Sequence, residues 1–253
     1  METPLSVPLI QTRRPARAAR SPLALYGRMV KSSGAVEVRE AFGPAGFEAT
    51  QRIRHAVYCK EKKFLDEGSL LDQWDDRAVV LNAYRGEEAV GTCRVTDSAD
   101  GALEIFDMHP ELQALVPAGA RLLEVSRLNV LRGHRGFSVT LPLFRRVFQE
   151  LVKRKAQGLI LSCAPALIPY YRDLLGCRQL SRKPLHHARL RGLIDYPMIM
   201  EWPRVLERAT PSALPFWFAI NPLWCLRAML QTGLRAVRES LPGFSSILDS
   251  SIP

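Results

Sequence analysis

Residues 122–130 read Leu-Leu-Glu-Val-Ser-Arg-Leu-Asn-Val and run into a turn-rich Arg-Gly-His-Arg-Gly segment at 132–136. Leu123, Val125, Leu128 and Val130 are strand formers, and the turn that follows bounds the strand. A strand covered on both faces is near-continuous apolar. Glu124, Ser126 and Arg127 break that rule here. A carboxylate and a guanidinium three residues apart inside such a strand are costly to desolvate unless they are paired or used. Two readings stay open on these residues alone: a buried ion pair tying the strand to its neighbours, and an active site.

The remaining chain limits what that strand can serve. With 253 residues it holds one domain with extensions, or two small domains. Lys and Arg number 35 against 25 Asp and Glu, a net charge of +10 that favours an acidic partner. Such partners are nucleic acid, anionic lipid, a phosphate-bearing cofactor or an acidic protein. No basic cluster is interleaved with aromatics, and no helix-turn-helix or zinc-finger spacing occurs, so nucleic acid is not expected. Cys59, Cys93, Cys163, Cys177 and Cys225 are scattered with no CxxC. They read as reduced core thiols of a cytoplasmic protein, with neither a disulfide frame nor a metal site. No uninterrupted apolar run is long enough to span a bilayer.

Three regions follow in order. Residues 1–35 form a basic, Pro-containing arm expected to be disordered. Residues 36–203 carry the periodic segments. A first strand is expected at 36–40 and a helix over 47–63, then an acid-rich loop with Asp72 and Asp75. That loop is either solvated and held by Asx turns, or a lip for a substrate amine. Strands are expected at 77–84 and 89–97, a short edge strand at 103–108, and the central strand at 122–130. A helix over 140–157 has Leu143, Phe144, Val147, Phe148, Leu151 and Val152 as its apolar stripe. Arg145, Arg146, Lys153, Arg154 and Lys155 form its basic outer face. A strand at 159–163, a helix at 166–175 and strands at 178–181 and 194–202 complete an α/β layer with helices on both faces. Residues 204–253 read as an aromatic and amphipathic helical extension. It either packs on the body or, through 215–238, makes peripheral contact with a membrane, where Trp217 and Trp224 suit a headgroup boundary.

An ordered set of motifs resembles a known family. Arg54 with Tyr58, then Phe64, Asp72-Gln-Trp-Asp75, Gly91-Thr-Cys-Arg94, Phe106 and Glu124-Val-Ser-Arg127 resemble the signature of the acyl-homoserine-lactone (autoinducer) synthases. Val57-Tyr-Cys-Lys-Glu and His187-Ala-Arg-Leu-Arg-Gly are similar to the acyltransferases associated with PEP-CTERM/exosortase systems and to N-acyl amino acid synthases. The resemblance covers about 36–202. It implies the GNAT acyltransferase fold: a mixed, mostly antiparallel sheet with splayed central strands.

The activity it implies is acyl transfer from a thioester to an amine such as an amino acid. Alternatives are a lactone synthase using S-adenosylmethionine and a non-catalytic module of the same fold. No permanently bound cofactor is implied; the donor is an acyl-phosphopantetheine, on acyl carrier protein or coenzyme A. The turn Arg132-Gly-His-Arg-Gly-Phe-Ser departs from the GNAT pyrophosphate-binding turn, which favours the acyl carrier protein. The basic face of helix 140–157 suits that acidic partner, or is simply a solvated surface.

On this resemblance Glu124 is the general base, and Arg127 and Arg94 hold it and the acid loop or grip an acceptor carboxylate. A strand amide near Leu128, flanked by Ser126, faces the thioester oxygen. Asp72 and Asp75 meet the acceptor amine or pair with Arg54, and Tyr58, Phe64 and Phe106 wall the cleft. Tyr170 or Tyr171 protonates the leaving thiolate or packs in the core.

Overall fold

The computed structural model describes residues 35–66, 70–187, 190–202, 205, 213–223, 225–226 and 230. Its strands are β1 (Glu37–Glu40), β2 (Val79–Arg85), β3 (Glu88–Asp97), β4 (Leu122–Val130), β5 (Gly158–Cys163), β6 (Arg178–Gln179), β7 (Leu185–His186) and β8 (Ile194–Glu201). They form an open sheet in the order β1-β2-β3-β4-β5-β8-β6, with β7 also on β8. All pairs are antiparallel except β4 with β5. That parallel pair is short: Leu122, Leu123 and Glu124 face Gly158, Leu159 and Ile160, and the register ends there. Beyond it the central strands part. This is the GNAT acyltransferase fold.

The helices are α1 (Gly43–His55), α2 (Glu104–Met108), α3 (Phe137–Lys153), α4 (Ile168–Leu175) and α5 (Leu214–Ile220). The larger core lies where odd-numbered strand residues such as Leu81, Cys93, Val95, Leu123 and Leu159 meet Phe144, Phe148, Leu151, Tyr171, Phe216 and Trp217. Leu103, Ile105, Phe106, Leu122, Ile160 and Ile199 make a smaller core on the opposite face. Both clusters follow from period-two alternation along strands covered on two sides.

Three elements differ from expectation. Helix α1 begins earlier than 47 because Pro44 occupies its first turn, where a missing N–H costs nothing. Its buried residues are Gly46, Thr50, Ile53 and Arg54, so polar residues hide the helical period. Thr50 Oγ1 donates to Asn82 Oδ1 at 3.0 Å, and Asn82 Nδ2 donates to the Gly46 carbonyl at 2.8 Å, fixing the helix on β2. A Cβ on Gly46 would stand 2.9 Å from the Ala41 Cα, so only glycine permits this approach. After His55 the chain widens into a π turn, Ala56–Glu61, a feature that often re-aims side chains beside sites.

The segment expected as an edge strand at 103–108 is instead helix α2. Leu103, Glu104, Ile105 and Phe106 are all buried, which a strand showing one face inward cannot achieve. Acids in its first turn favour the helix, and Pro110 closes it. In α3 the apolar stripe is as read, except that Val152 points to solvent.

Trp217, expected at a headgroup boundary, is fully buried. Its ring stacks edge-on against Phe148 at 4.8 Å, and Nε1 donates to the Leu174 carbonyl at 2.8 Å. The arm at 1–34, Trp224 and residues 231–253 lie outside the described residues. No helix among the described residues is long and apolar enough to cross a membrane. Trp217→Ala should destabilise the protein by about 3–5 kcal/mol in urea unfolding, because it empties a large core volume and orphans the Leu174 carbonyl.

Candidate active site

The site is set by a one-residue irregularity in β4. Val125 and Ser126 face Val95 and Arg94, while Asn129 and Val130 face Thr92 and Gly91. Two residues, Arg127 and Leu128, therefore oppose Cys93 alone, which is a β-bulge. Arg127 takes the left-handed backbone it requires, with φ 53°. In a non-glycine residue this conformation costs on the order of 1–3 kcal/mol and persists only where the surroundings hold it. The bulge changes which parity faces the larger core: Leu123 and Val125 before it, Leu128 and Val130 after it. Arg127 is thereby turned to the opposite face, alongside Glu124 and Ser126.

There it enters a buried network. Arg127 Nη2 donates to Asp72 Oδ2 at 3.0 Å and to Glu104 Oε1 at 2.5 Å. Arg94 donates through Nε to Ser126 Oγ at 3.0 Å, through Nη1 to Asp72 Oδ1 at 2.5 Å, and through Nη2 to Glu104 Oε2. Arg54 grips Asp75 bidentately at 2.7 Å through both terminal nitrogens and also reaches the Leu70 carbonyl at 2.8 Å. Asp75 Oδ2 accepts from the Asp72 N–H at 2.9 Å, joining the two halves. Such two-pronged pairs are the strong form of guanidinium binding.

Three guanidiniums, from Arg54, Arg94 and Arg127, are thus matched by three carboxylates, from Asp72, Asp75 and Glu104. Glu124 is the fourth carboxylate. Among the described residues it forms no ion pair; its oxygen accepts the Ile105 N–H at 3.3 Å. Burial pushes its pKa up to about 7, and the neighbouring Glu104 charge adds to the effect, against the weaker pull of Arg94 and Arg127. Glu104 is buried too, but the His187 hydrogen bond and the Arg127 and Arg94 charges overcome that burial and hold it below the ordinary range. His187 joins the network as well: its Nε2 stands 2.9 Å from Arg127 Nη1 and 3.5 Å from Glu104 Oε1, and its Nδ1 lies 3.2 Å from the Leu190 amide.

A cavity of about 320 Å³ fills the gap between the parted strands. Glu124, Ser126, Arg127, Leu128, Tyr58 and Phe64 line it, as expected, together with Glu104, His187, Leu161, Cys163 and Tyr171. Arg54, Asp72, Asp75, Arg94 and Phe106 do not line it; the four charged groups stand behind the wall, and Phe106 packs in the smaller core. Arg94 and Asp75 have their polar groups engaged within the protein, so support of the wall is what the geometry leaves them. Glu104 was missed because an edge strand would have aimed it outward. One acid set among Leu103, Ile105 and Phe106 is the same signal that singled out Glu124.

The basic face expected on α3 is largely occupied. Arg145 donates to the Ala219 carbonyl, Arg146 pairs with Glu150, and Arg154 pairs with Asp97, Asp100 and Glu150. Nearer the cavity, Lys62 and Arg135 line its rim, where Arg135 pairs with Glu61 at 2.6 Å. Burial keeps the Tyr171 hydroxyl protonated well beyond neutral pH, and Tyr170 is pushed up to about 12.

A sheet whose central strands part around a cavity is the frame of an acyltransferase fold. The chain belongs to the N-acyl amino acid synthase FeeM family, whose model matches residues 49–193. FeeM itself, an N-acyl amino acid synthase from uncultured soil microbes, shares 21% identity over 70% of this chain and 96% of its own, with a TM-score of 0.60. BjaI, a CoA-dependent acyl-homoserine lactone synthase, shares 18% identity over 74% of this chain and 89% of its own, with a TM-score of 0.55. The homoserine lactone synthase LasI shares 17% identity over 74% and 95%, with a TM-score of 0.53. No curated protein matches the sequence. These structures establish the shared fold, and the family match establishes acyl transfer to an amine.

The raised Glu124 pKa has a thermodynamic consequence. The folded protein holds a proton on Glu124 that the unfolded chain releases above its ordinary pKa of 4.5. Stability therefore falls as pH rises from there to about 7, where the buried carboxyl ionises. Glu124→Gln removes that cost. Its stability relative to the parent should rise between pH 4.5 and 8, toward a limit on the order of 3 kcal/mol, in denaturant titrations at each pH.

Proposed function

We propose that this protein moves a fatty acyl group from an acyl-carrier-protein thioester onto the amine of an amino acid, giving an open N-acyl amino acid. The observation that carries the reading is the unmatched Glu124 on the cavity wall. An acceptor amine enters as an ammonium, the cation that the balanced network lacks. Glu124 takes its proton, and the free amine attacks the thioester carbonyl. A carbon–nitrogen bond forms, and the oxyanion is met by the Leu128 amide, which stands at the bulge with no partner in the β3 register. Collapse breaks the carbon–sulfur bond, and the second proton of the attacking nitrogen passes to the departing sulfur, leaving a neutral amide and a free thiol. Arg127, held by Asp72 and Glu104, keeps Glu104 ionised and the bulge in place. Arg94 and Ser126 brace it from β3 and β4.

Two features support the carrier protein as donor. The 132–138 turn lacks the small-residue pattern that cradles the coenzyme A pyrophosphate. Exposed Arg132 precedes α3, and Lys62 lines the cavity, and both suit an acidic carrier.

The pH dependence of kcat/KM should show a rise with an inflection near 7, as Glu124 loses its proton, ahead of the acceptor's own titration. Glu124→Gln should lower kcat by about 10²–10⁴-fold and abolish that inflection, and Arg127→Ala should lower activity comparably with retained secondary structure. If both variants turn over at the parent rate, the base is elsewhere. Mass spectrometry of reactions containing acyl carrier protein or coenzyme A thioesters and a panel of amino acids should show open N-acyl products, faster from the carrier. Transfer from coenzyme A alone would reverse the donor assignment, and a lactone from S-adenosylmethionine would reverse the product.

A further inference from the structure

Near its end β3 buries a hydroxyl that the charged network does not use. Thr96 is fully buried, and among the described residues its Oγ1 has no hydrogen-bond partner. A buried hydroxyl left unpaired costs free energy that a valine of the same shape avoids. Val95 before it points into the larger core, so Thr96 points to the opposite face. Arg94, two positions back on that face, binds Asp72, Glu104 and Ser126.

The antiparallel register shows what stands across from the hydroxyl. Arg94 faces Ser126, Val95 faces Val125 and Thr96 faces Glu124. The bulge at Arg127 lies past this stretch, so the alternation is regular here and Thr96 and Glu124 share a face. Cβ atoms of directly opposed residues stand about 4.5–5.5 Å apart, within reach of a hydroxyl and a carboxyl. The carboxyl has capacity for a partner. Glu124 accepts the Ile105 N–H at 3.3 Å and makes no other hydrogen bond among the described residues. A hydroxyl also suits a neighbour that changes protonation: it donates to a carboxylate and, by turning its proton away, accepts from a carboxylic acid.

We propose that Thr96 is a positioning residue for Glu124, its hydroxyl donating to the carboxylate before the acceptor amine gives up its proton and accepting from the carboxylic acid afterwards. A turn of the Glu124 carboxyl on its flexible stem closes the bond. The role rests on the reading of Glu124 as the base. Thr96 does not line the cavity, so it acts only through Glu124. The bond to the charged form is the stronger of the two, so the hydroxyl favours ionised Glu124. Glu124 is faced by Glu104 on α2, Arg94 on β3 and Arg127 on β4, while β5 opposes it with Ile160. Lys62, His187 and Asp195 stand around the same cavity. Thr96→Val leaves all of these charges in place.

The test follows the Glu124 carboxyl directly, by NMR of the full chain labelled at its glutamate carboxyl carbons, with the Glu124→Gln spectrum identifying the signal. Thr96→Val should raise the pH midpoint of that signal by about one unit, since a hydrogen bond to a charged group is worth that much or more. Thr96→Ser keeps the hydroxyl and should return the midpoint to that of the parent. Thr92→Val removes another unpartnered hydroxyl from the same strand, one that faces the uncharged Asn129, and should leave the midpoint unmoved. In acyl transfer the kcat/KM profile of Thr96→Val should move with the signal, about tenfold below the parent at pH values under the midpoint and equal to it well above. A Glu124 midpoint that Thr96→Val does not move overturns the proposal, and so does an equal shift in Thr96→Ser or Thr92→Val. A shifted midpoint with an unmoved kinetic profile upholds the pairing of Thr96 with Glu124 and places the base elsewhere.

Discussion

Five separate pieces of chain meet through the buried pairing of Arg54, Arg94 and Arg127 with Asp72, Asp75 and Glu104. Helix α1 supplies Arg54, β3 supplies Arg94, β4 supplies Arg127, the 70–77 loop supplies both aspartates and α2 supplies Glu104. Buried ion pairs seldom add much stability over apolar packing, but removal of one member leaves an opposite charge stranded. The set is therefore strong as a constraint and modest as a source of free energy. It fixes how a loop and a five-residue helix sit against the sheet, where apolar contacts alone would tolerate sliding. Its electrical balance also sets Glu124 apart: burial, with the Glu104 charge beside it, pushes the last carboxylate up to about 7.

The bulge at Arg127 connects this network to the cavity. A regular strand would have turned Arg127 toward Val125 and Leu123, in the larger core, where a guanidinium has no partner. One extra residue sends it to the other face and resets the apolar alternation for Leu128 and Val130. The left-handed backbone needed for this is held by the Asp72 and Glu104 contacts, and by Asn129 Nδ2 donating to the Arg127 carbonyl at 2.9 Å. Local strain and the charged network thus depend on each other.

Much of this was legible in the sequence because polar residues interrupted apolar periods. The limits of β4 were read correctly, and Glu124 and Arg127 stood out against Leu123, Val125 and Leu128. The family resemblance came from the same interruptions, taken in order from Arg54 onward. Residues that interrupt no period were harder. Glu104 fell in a segment whose five helical residues are too few to show a helical repeat, so alternation sent it to the wrong side. His187 follows a two-residue strand, too short to register as a pattern. Charge on α3 misled in another way. Composition reports arginines, but not that Asp97, Asp100, Glu150 and a backbone carbonyl of α5 already engage them.

The abrupt end of the β4–β5 ladder also leaves two facing edges of peptide groups. Past Ile160, β5 remains bonded to β8 on its outer side, through Leu161, Ser162 and Cys163, while its inner edge faces the gap without a strand opposite. Peptide groups so placed seek donors and acceptors from whatever enters. A slender guest bearing its own amides, as the pantetheine arm of the proposed donor does, can bridge both edges as a temporary extra strand. The sheet would then be continuous only while substrate is present, so donor occupancy would tighten the middle of the molecule and its departure would loosen it.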